Sequence, residues 1–337
     1  NFSKAKYRTM QSIPLVNGTI NYTLADLNIT ELYIDGVLAE ELDSSKNYTL
    51  NTKQSTCTYK NGTAISNLTL SYDSDTQTFT IAPYTTKGTK CTLYFEERKS
   101  ATDTIESLYP DNQNMLAYDE RNNLRYIGAN PNNYVLFNNE LWRIIGVFNE
   151  DSHGISGKKL IKIIRNDSIG YFSWDNKPSG TGSSIDQDGS NDWSDSALQE
   201  VLNSGAYWNR TSGTCPYGPN GVTKNCDFST TGLTDTAKEM IETVTWKLGG
   251  INTSGRVTVS MVYSGERGTN VYNNRPTVWE GKVGLIYLSD YHYATNGGST
   301  QSRETCLSEL NMWYSEVSSN YRDCVVNDWL RDFTNIQ

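Results

Sequence analysis

Residues 141–148 read Leu-Trp-Arg-Ile-Ile-Gly-Val-Phe, and this apolar run guides the interpretation of the whole second half of the chain. A short apolar run bounded by polar turn residues predicts a strand that is buried on both faces or nearly so. Asn138-Asn139, just before it, predicts a hairpin turn. Three more runs with strand character lie nearby, at 124–128, 134–137 and 160–165. Together these runs predict an antiparallel meander.

Two helices are expected after the meander. The first covers 194–202 and begins with residues that favour a helix N-cap. The second covers 234–248, because Ala237, Met240, Ile241, Val244 and Leu248 recur at helical spacing and Gly249-Gly250 would end it. A further buried strand is expected at 282–288. We expect 141–148, 160–165 and 282–288 to be inner strands of one sheet system on which both helices pack.

The first 97 residues alternate apolar and polar side chains in short runs, which is typical of half-buried strands. The runs are 31–35, 68–72, 79–81 and 92–95, with turns expected at Asp35-Gly36 and Asn61-Gly62. The overall prediction is an α+β chain: an all-β sandwich domain at 1–97, a polar connector at 98–110 and an α+β domain at 111–337. Within the connector a short helix is expected from Thr104, stopped by Pro110.

Composition excludes some classes of function. The 337 residues carry a formal net charge of −9 and no run of Lys or Arg, which argues against a nucleic-acid-binding surface. No stretch has the roughly 20 apolar residues that span a bilayer, and the first residue is Asn1 rather than Met. Any membrane anchor is therefore expected outside the chain, before Asn1 or after Gln337.

Six cysteines occur as two early, two central and two late residues, and none forms a Cys-x-x-Cys pair. That spacing counts against a zinc site and a thioredoxin-like motif. Six cysteines allow 15 connectivities, of which the simplest joins neighbours: Cys57–Cys91, Cys215–Cys226 and Cys306–Cys324. Such pairs indicate an oxidising, extracellular compartment. The alternative is six free, buried thiols.

The stretch 186–193 is rich in oxygen ligands of the kind that Ca²⁺ prefers. The candidate ligands are Asp186, Asp188, Asn191 and Asp192, although the Gly lies too early for an EF-hand loop. The alternative interpretation is a solvated turn of Asp, Asn and Gly, without a metal. No other cofactor is indicated.

Catalytic motifs are absent from the sequence. Only two histidines occur, His153 and His292, and neither belongs to a known hydrolase or metalloprotease motif. Gly265-Glu266-Arg267-Gly268 lacks the Lys and Ser/Thr of a phosphate loop, and we expect a turn in which Arg267 pairs with a carboxylate. A distant pair of catalytic carboxylates stays open. The 22 Tyr suit either an interface or strands, and exposed members of the eight Trp would suit sugar stacking.

Several segments of the chain have a distinctive wording. In the second half these are 122–135 (NNLRYIGANPNNYV), 138–146 (NNELWRIIG), 191–196 (NDWSDS), 207–210 (YWNR), 281–285 (GKVGL), 289–291 (SDY) and 327–330 (NDWL). In the first part they are 12–19 (SIPLVNGT) and 85–91 (TTKGTKC). In these segments the chain resembles a family of uncharacterised, membrane-anchored extracellular proteins of low-GC gut bacteria. The resemblance covers nearly the whole chain, although the family has no established activity. It implies a C-type-lectin-like fold, shared with relatives of the formylglycine-generating enzyme, for the α+β domain.

The members of that family continue beyond the Asn-Asp-Trp-Leu segment, whereas this chain stops at Gln337. The resemblance therefore implies a C-terminally truncated lectin-like domain with a frayed edge near Trp329, or an edge filled by a neighbouring molecule. The expected function is a non-enzymatic, cell-surface-anchored adhesin or ligand-binding ectodomain. Its expected partner is a host or bacterial surface glycan or protein. The alternatives are a subunit of a cell-surface filament, which would self-associate, and a glycan-active enzyme.

Overall fold

The computed structural model describes residues 11–14, 27–83, 87–176, 189, 192–251, 257–271, 274–309 and 319–331. The chain is a mixed α/β protein whose strands form several small sheets. It divides into two compact units, Asn1–Thr104 and Ile105–Gln337. The division falls inside the connector predicted at 98–110, in a helix (α1, Ala101–Leu108) that begins three residues before the predicted Thr104. A 3₁₀ turn, Tyr109–Asp111, contains Pro110 and follows this helix.

The first unit consists of strands in two sheets. The strands are β1 (Gln11–Pro14), β2 (Leu27–Ile34), β3 (Val37–Ala39), β4 (Asn47–Leu50), β5 (Thr56–Thr58), β6 (Thr69–Asp73), β7 (Thr78–Ala82) and β8 (Thr89–Arg98). One sheet has the order β3-β2-β8-β4 with β5 also on β8, and the other has the order β1-β7-β6. The predicted runs 79–81 and 92–95 lie within β7 and β8, and the runs 31–35 and 68–72 match β2 and β6 except for one residue at an end. Both sheets contribute to one core, in which Phe79 and Ile81 of β7 lie with Leu93 and Phe95 of β8.

Turn chemistry in this unit follows the sequence. Asp35 and Gly36 have φ angles of 49° and 80° and connect β2 to β3. Positive φ at both central residues defines the tight hairpin turn for which Asp-Gly is preferred. At Asn61-Gly62, the Gly62 N–H donates to the Tyr59 carbonyl at 2.8 Å. Both predicted turns are confirmed.

A five-stranded sheet dominates the start of the second unit. Its strands are β9 (Leu116–Tyr118), β10 (Leu124–Tyr126), β11 (Tyr134–Phe137), β12 (Glu140–Phe148) and β13 (Leu160–Arg165). The predicted strands are confirmed, and the chain between β11 and β12 turns at Asn138-Asn139, both with positive φ. The predicted meander is wrong, because β10 pairs with β12 rather than with β11. Strand β12 is long enough to pair with β10, β11 and β13.

The rest of the second unit consists of short helices and two two-stranded sheets, β14-β15 and β16-β17. They are α2 (Glu150–His153), a 3₁₀ turn (Trp193–Asp195), α3 (Ala197–Asn203), α4 (Ala206–Asn209), β14 (Ser212–Pro216), β15 (Thr223–Asp227), α5 (Asp235–Met240), β16 (Val244–Lys247), α6 (Val259–Glu266), β17 (Val278–Gly281), α7 (Leu288–Tyr293), α8 (Arg303–Glu309) and α9 (Ser319–Val326). The helix expected at 194–202 is therefore the 3₁₀ turn followed by α3, which Ser196 caps. None of the helices in the described ranges is long and apolar enough to cross a membrane.

The helix predicted over 234–248 is wrong in its second half. Thr234 caps it as expected, with its hydroxyl accepting from the Ala237 N–H, but helix α5 ends at Met240. The chain then forms β16, which pairs with β17. β-Branched residues such as Val244 and Thr245 favour extended backbone. Trp246 also gains a cross-strand neighbour, Trp279, that a helix would not provide.

The prediction of a buried strand at 282–288 is also wrong. The strand lies earlier, at β17, and Leu285 is 40% exposed. The Val283 N–H donates to the side chain of Asn203 instead of to a neighbouring strand. Of the three inner strands expected in one sheet, 141–148 and 160–165 are neighbours, as β12 and β13, and the third is absent.

The structure contains three cysteine pairs at disulfide distance, and they are the neighbouring pairs. The S–S distances are 2.03 Å for Cys57–Cys91, 2.02 Å for Cys215–Cys226 and 1.99 Å for Cys306–Cys324. Cys57 and Cys91 lie directly opposite each other on β5 and β8. The Cys215–Cys226 pair links the two strands of the β14–β15 hairpin. No described cysteine is free.

Candidate functional site

A buried ionic cluster connects the β12 sheet to helix α7. The Arg125 guanidinium on β10 donates to Asp119 at 2.6 Å and to Asp290 at 2.7 Å. Lys162 on β13 contacts the second oxygen of Asp290. The side chains of Arg125, Asp119 and Asp290 are at most 1% exposed. Because an unpaired buried charge is costly, these contacts fix the start of α7 against the sheet.

The charges in this cluster stabilise one another. Burial opposes ionisation of Asp290, but Lys162 and Arg125 outweigh it and lower the pKa of Asp290 to about 2. Burial likewise opposes the charge of Arg125, and the two aspartates nevertheless raise its pKa. Burial lowers the pKa of Lys162, and Asp290 opposes that effect. The Arg125–Asp290 bridge is therefore ionised at neutral pH.

Aromatic rings surround the ammonium group of Lys162. Its Nζ lies 4.4 Å from the ring centre of Tyr287 and 5.5 Å from those of Trp246 and Phe148. A cation over an aromatic face is attracted by the ring quadrupole. Arg267 adds a second cation, 4.9 Å from the ring centre of Tyr287. These contacts hold Trp246 and Tyr287 in fixed positions.

Trp246 and Tyr287 form part of the wall of a cavity of about 380 Å³. This volume lies within the range of about 300–1,000 Å³ that small-molecule sites occupy. The indoles of Trp174 and Trp193, whose ring centres are 5.1 Å apart, also line the cavity. Trp193 is buried, at 5% exposure, whereas Trp174 is 39% exposed. The cavity lining therefore includes one exposed indole, that of Trp174, and one buried indole, that of Trp193.

Close backbone packing shapes the aromatic wall. A Cβ atom on Gly284 would lie 2.8 Å from the ring of Trp246, so only glycine allows this approach. The indole Nε1 of Trp246 donates to the Gly281 carbonyl at 3.1 Å, which satisfies its polar edge. The Tyr287 hydroxyl accepts from the Lys247 N–H at 2.7 Å and donates to the Lys247 carbonyl at 3.1 Å. The ring positions are thus set before any ligand arrives.

Four polar residues line the same cavity, namely Asp192, Lys247, Asn270 and Arg275. One carboxylate oxygen of Asp192 accepts from the N–H and the hydroxyl of Ser194, at 2.9 and 2.7 Å. Lys247 forms no ion pair with any residue in the described ranges. The remaining lining is apolar or glycine, including Leu248, Val271, Pro276, Leu285 and Ile286. Apolar walls with a few polar groups are typical of ligand sites.

The predicted calcium ligands are only partly in the described residues. Asp192 lies in the cavity wall, where it caps the 3₁₀ turn Trp193–Asp195. Asp186, Asp188 and Asn191 lie outside the described residues. Within the part of the chain that the structure describes, no group of three His, Cys, Asp or Glu side chains could hold a metal ion. A calcium site at this loop stays a prediction.

The two histidines lie away from the cavity. His292 on α7 is 1% exposed, and burial together with Arg331 lowers its pKa to about 3. The Nδ1 of His153 accepts from the Ile155 N–H at 3.2 Å. At Gly265–Gly268 the prediction of an Arg–carboxylate contact is confirmed, since Arg267 lies 3.0 Å from Glu266. Glu266 also accepts from the hydroxyl and N–H of Ser289, which ties this turn to α7.

The chain matches no family model, no curated protein and no solved structure. The assignment of a site therefore depends on the cavity itself. Sequence reasoning singled out the eight Trp as a class but did not identify Trp174 and Trp246 as cavity residues. The incorrect prediction of a helix over 234–248 left no place for the strand pairing of Trp246 with Trp279. Gly281 and Gly284 were the signal that this segment leaves the sheet.

Proposed function

We propose that the chain is an extracellular ligand-binding protein whose second unit binds a sugar in the cavity at Trp174, Trp193 and Trp246. The observation that supports this most strongly is the exposed indole of Trp174 beside a preformed cavity of about 380 Å³. Flat aromatic faces stack on the apolar faces of sugar rings, and the polar lining would bind the hydroxyl groups. The three disulfides are compatible with an extracellular location.

For the fold we propose a β-sandwich in the first unit, supported by two sheets that share one core. For the second unit we propose a C-type-lectin-like domain. Its support is the resemblance of segments such as 138–146 and 327–330 to the anchored extracellular family. The segment at 327–330 packs against the sheet, since the Trp329 indole donates to the Tyr126 carbonyl at 2.9 Å. Attachment to a cell surface through an anchor outside this chain is part of the same proposal.

A glycan array probed with the full chain tests this function. We expect binding to a subset of sugars that Trp174→Ala weakens about thirtyfold, which corresponds to the roughly 2 kcal/mol of an aromatic hot spot. The matched control is Tyr171→Ala, because Tyr171 is 87% exposed and does not line the cavity. Equal binding by both variants would place the sugar elsewhere, and an array without binding would refute the proposed function.

A further inference from the structure

The segment 284–286 forms part of the cavity wall, and its backbone has no partner in the described part of the chain. No hydrogen bond joins the N–H or C=O groups of Gly284, Leu285 and Ile286 to any residue in the described ranges. Leu285 is 40% exposed, so solvent or a ligand reaches this segment. Backbone groups in folded proteins are almost always bonded to protein, water or ligand. The segment therefore offers donors and acceptors to a molecule in the cavity.

The residues on either side of this segment are fully engaged. The Val283 N–H donates to Oδ1 of Asn203, and the Val283 carbonyl accepts from Nδ2 of the same side chain, both at 2.9 Å. The Tyr287 N–H donates to the Asp290 carboxylate at 3.2 Å, and the Tyr287 carbonyl accepts from the Asp290 N–H at 3.1 Å. At Val283, an amide side chain thus already takes the place of a strand partner.

The gap in pairing is three residues long, from Gly284 to Ile286. Because only alternate residues of an extended strand face one partner, such a gap supports no more than a fragment of a β-ladder. It is poorly suited to a bound peptide strand, which gains affinity from a row of main-chain hydrogen bonds. A single amide group needs only one donor or acceptor on each of its edges, and the gap is long enough for it.

Apolar groups adjoin the unpaired backbone. The ring of Trp246 packs on Gly284, where a Cβ atom would lie 2.8 Å from it. Leu248, Val271 and Pro276 add apolar side chains to the cavity lining. A ligand group that suits both features combines an amide with a small apolar part. The acetamido group of an N-acetylated sugar has this composition, because its N–H donates, its C=O accepts and its methyl group is apolar.

We propose, building on the sugar-binding function, that the ligand is a sugar with an acetamido group, and that this group bonds to the backbone of 284–286. A trans amide carries its N–H and C=O on opposite edges. One edge meets the backbone of 284–286, and the other is left for the polar side chains of the lining, among them Asp192 and Asn270. The methyl group is buried in the apolar lining, which adds to the affinity. A hydroxyl group at the same carbon has a single polar atom and no methyl group to bury.

Sugars that differ only in this group test the inference. Chitotriose and cellotriose share their linkage and differ in an acetamido or a hydroxyl group on each ring, and N-acetylgalactosamine and galactose form a second pair. In calorimetric titrations of the full chain, we expect at least one acetamido sugar to bind about tenfold more tightly than its hydroxyl counterpart. Deacetylated chitotriose should lose this gain although its ammonium groups suit a chain with a net charge of −9, because the amide is gone.

Backbone amide signals locate the contact. In a nitrogen-15 NMR titration with the acetamido sugar that binds, at least one amide signal of 284–286 should shift with saturation. The internal control is the neighbouring wall, where the N–H groups of Leu248, Gly249 and Gly250 each already donate to a backbone carbonyl, at 2.8 to 2.9 Å. Their signals should shift less. The hydroxyl counterpart, at the same occupancy, should leave the signals of 284–286 closer to their positions in the free protein.

The outcomes separate the acetamido inference from the function on which it rests. Equal binding of acetamido sugars and their hydroxyl counterparts, lost in Trp174→Ala, would overturn the inference and leave sugar binding intact. Shifts at 248–250 without any at 284–286 would also overturn it, since the contact would lie elsewhere. Tighter binding of an acetylated tripeptide amide than of either trisaccharide would assign this backbone to a peptide instead. No binding of any sugar would refute the proposed function and the inference together.

Discussion

Replacing Asp290 with Asn tests the ionic cluster that positions the aromatic wall. The substitution keeps the size of the side chain and removes the charge that Arg125 and Lys162 share. Removing one partner of a buried ion pair costs about 3–5 kcal/mol, because the other charge stays buried without compensation. The lowered pKa of Asp290, about 2 instead of 3.8, gives a smaller figure of roughly 2 kcal/mol between the ionised and protonated acid. The expected loss lies between these values, at about 2–5 kcal/mol.

Tryptophan fluorescence during urea unfolding measures this loss in the relevant unit, because all eight Trp lie beyond residue 140. The contribution of Asp290 is complete above its unfolded pKa, near 4, and disappears as the pH falls from there through about 2. The variant and the wild type should therefore differ fully at pH 7 and converge under acid conditions. The control is Glu242→Gln, whose partner Lys158 is 54% exposed, and it should cost much less, because solvent screens an exposed ion pair. Equal stability of Asp290→Asn and Glu242→Gln at pH 7 would refute the reasoning.

Two other predictions concern the cavity wall and the C-terminal segment. Gly284→Ala should displace Trp246, because the added methyl group would lie too close to the indole ring. It should destabilise the second unit by about 1–3 kcal/mol in urea unfolding and weaken sugar binding. Unchanged binding would show that this wall is not part of the site. Burial raises the pKa of Asp328 to about 8, so the folded state retains a proton that the unfolded state has lost, and stability should fall as the pH rises from about 4 to 8. Asp328→Asn should flatten that dependence, and identical pH profiles would contradict the buried, neutral acid.

The strands of the sheet could be predicted because their information is local. The apolar run at 141–148, the turn at Asn138-Asn139 and the alternation in the first unit each predict structure from neighbouring residues alone. The cysteine pairs follow the same logic, with partners 11 to 34 residues apart. The prediction of one helix over 234–248 was wrong for two reasons. The apolar residues at helical spacing occur among β-branched residues, which favour strands. The strand partner, Trp279, is also distant in sequence.

The site depends on contacts between distant residues, and no local pattern indicates it. Arg125 and Asp290 are separated by 165 positions, yet their contact fixes α7 and with it Tyr287. Trp174 and Trp246 meet at the cavity from segments that show no shared motif. The sequence does indicate that the second unit is rich in Trp, and only the fold shows which indoles line a cavity.

The indole N–H signals of the eight Trp give the most direct test of sugar binding at the cavity. In a nitrogen-15 NMR titration with the sugar that binds most tightly on the array, we expect the signals of Trp174, Trp193 and Trp246 to shift together. The signals of Trp142 and Trp208, which do not line the cavity, should stay in place. Saturable shifts confined to the first group are the result that the proposed site requires. Saturable shifts at Trp142 or Trp208, with Trp174 unchanged, would contradict it.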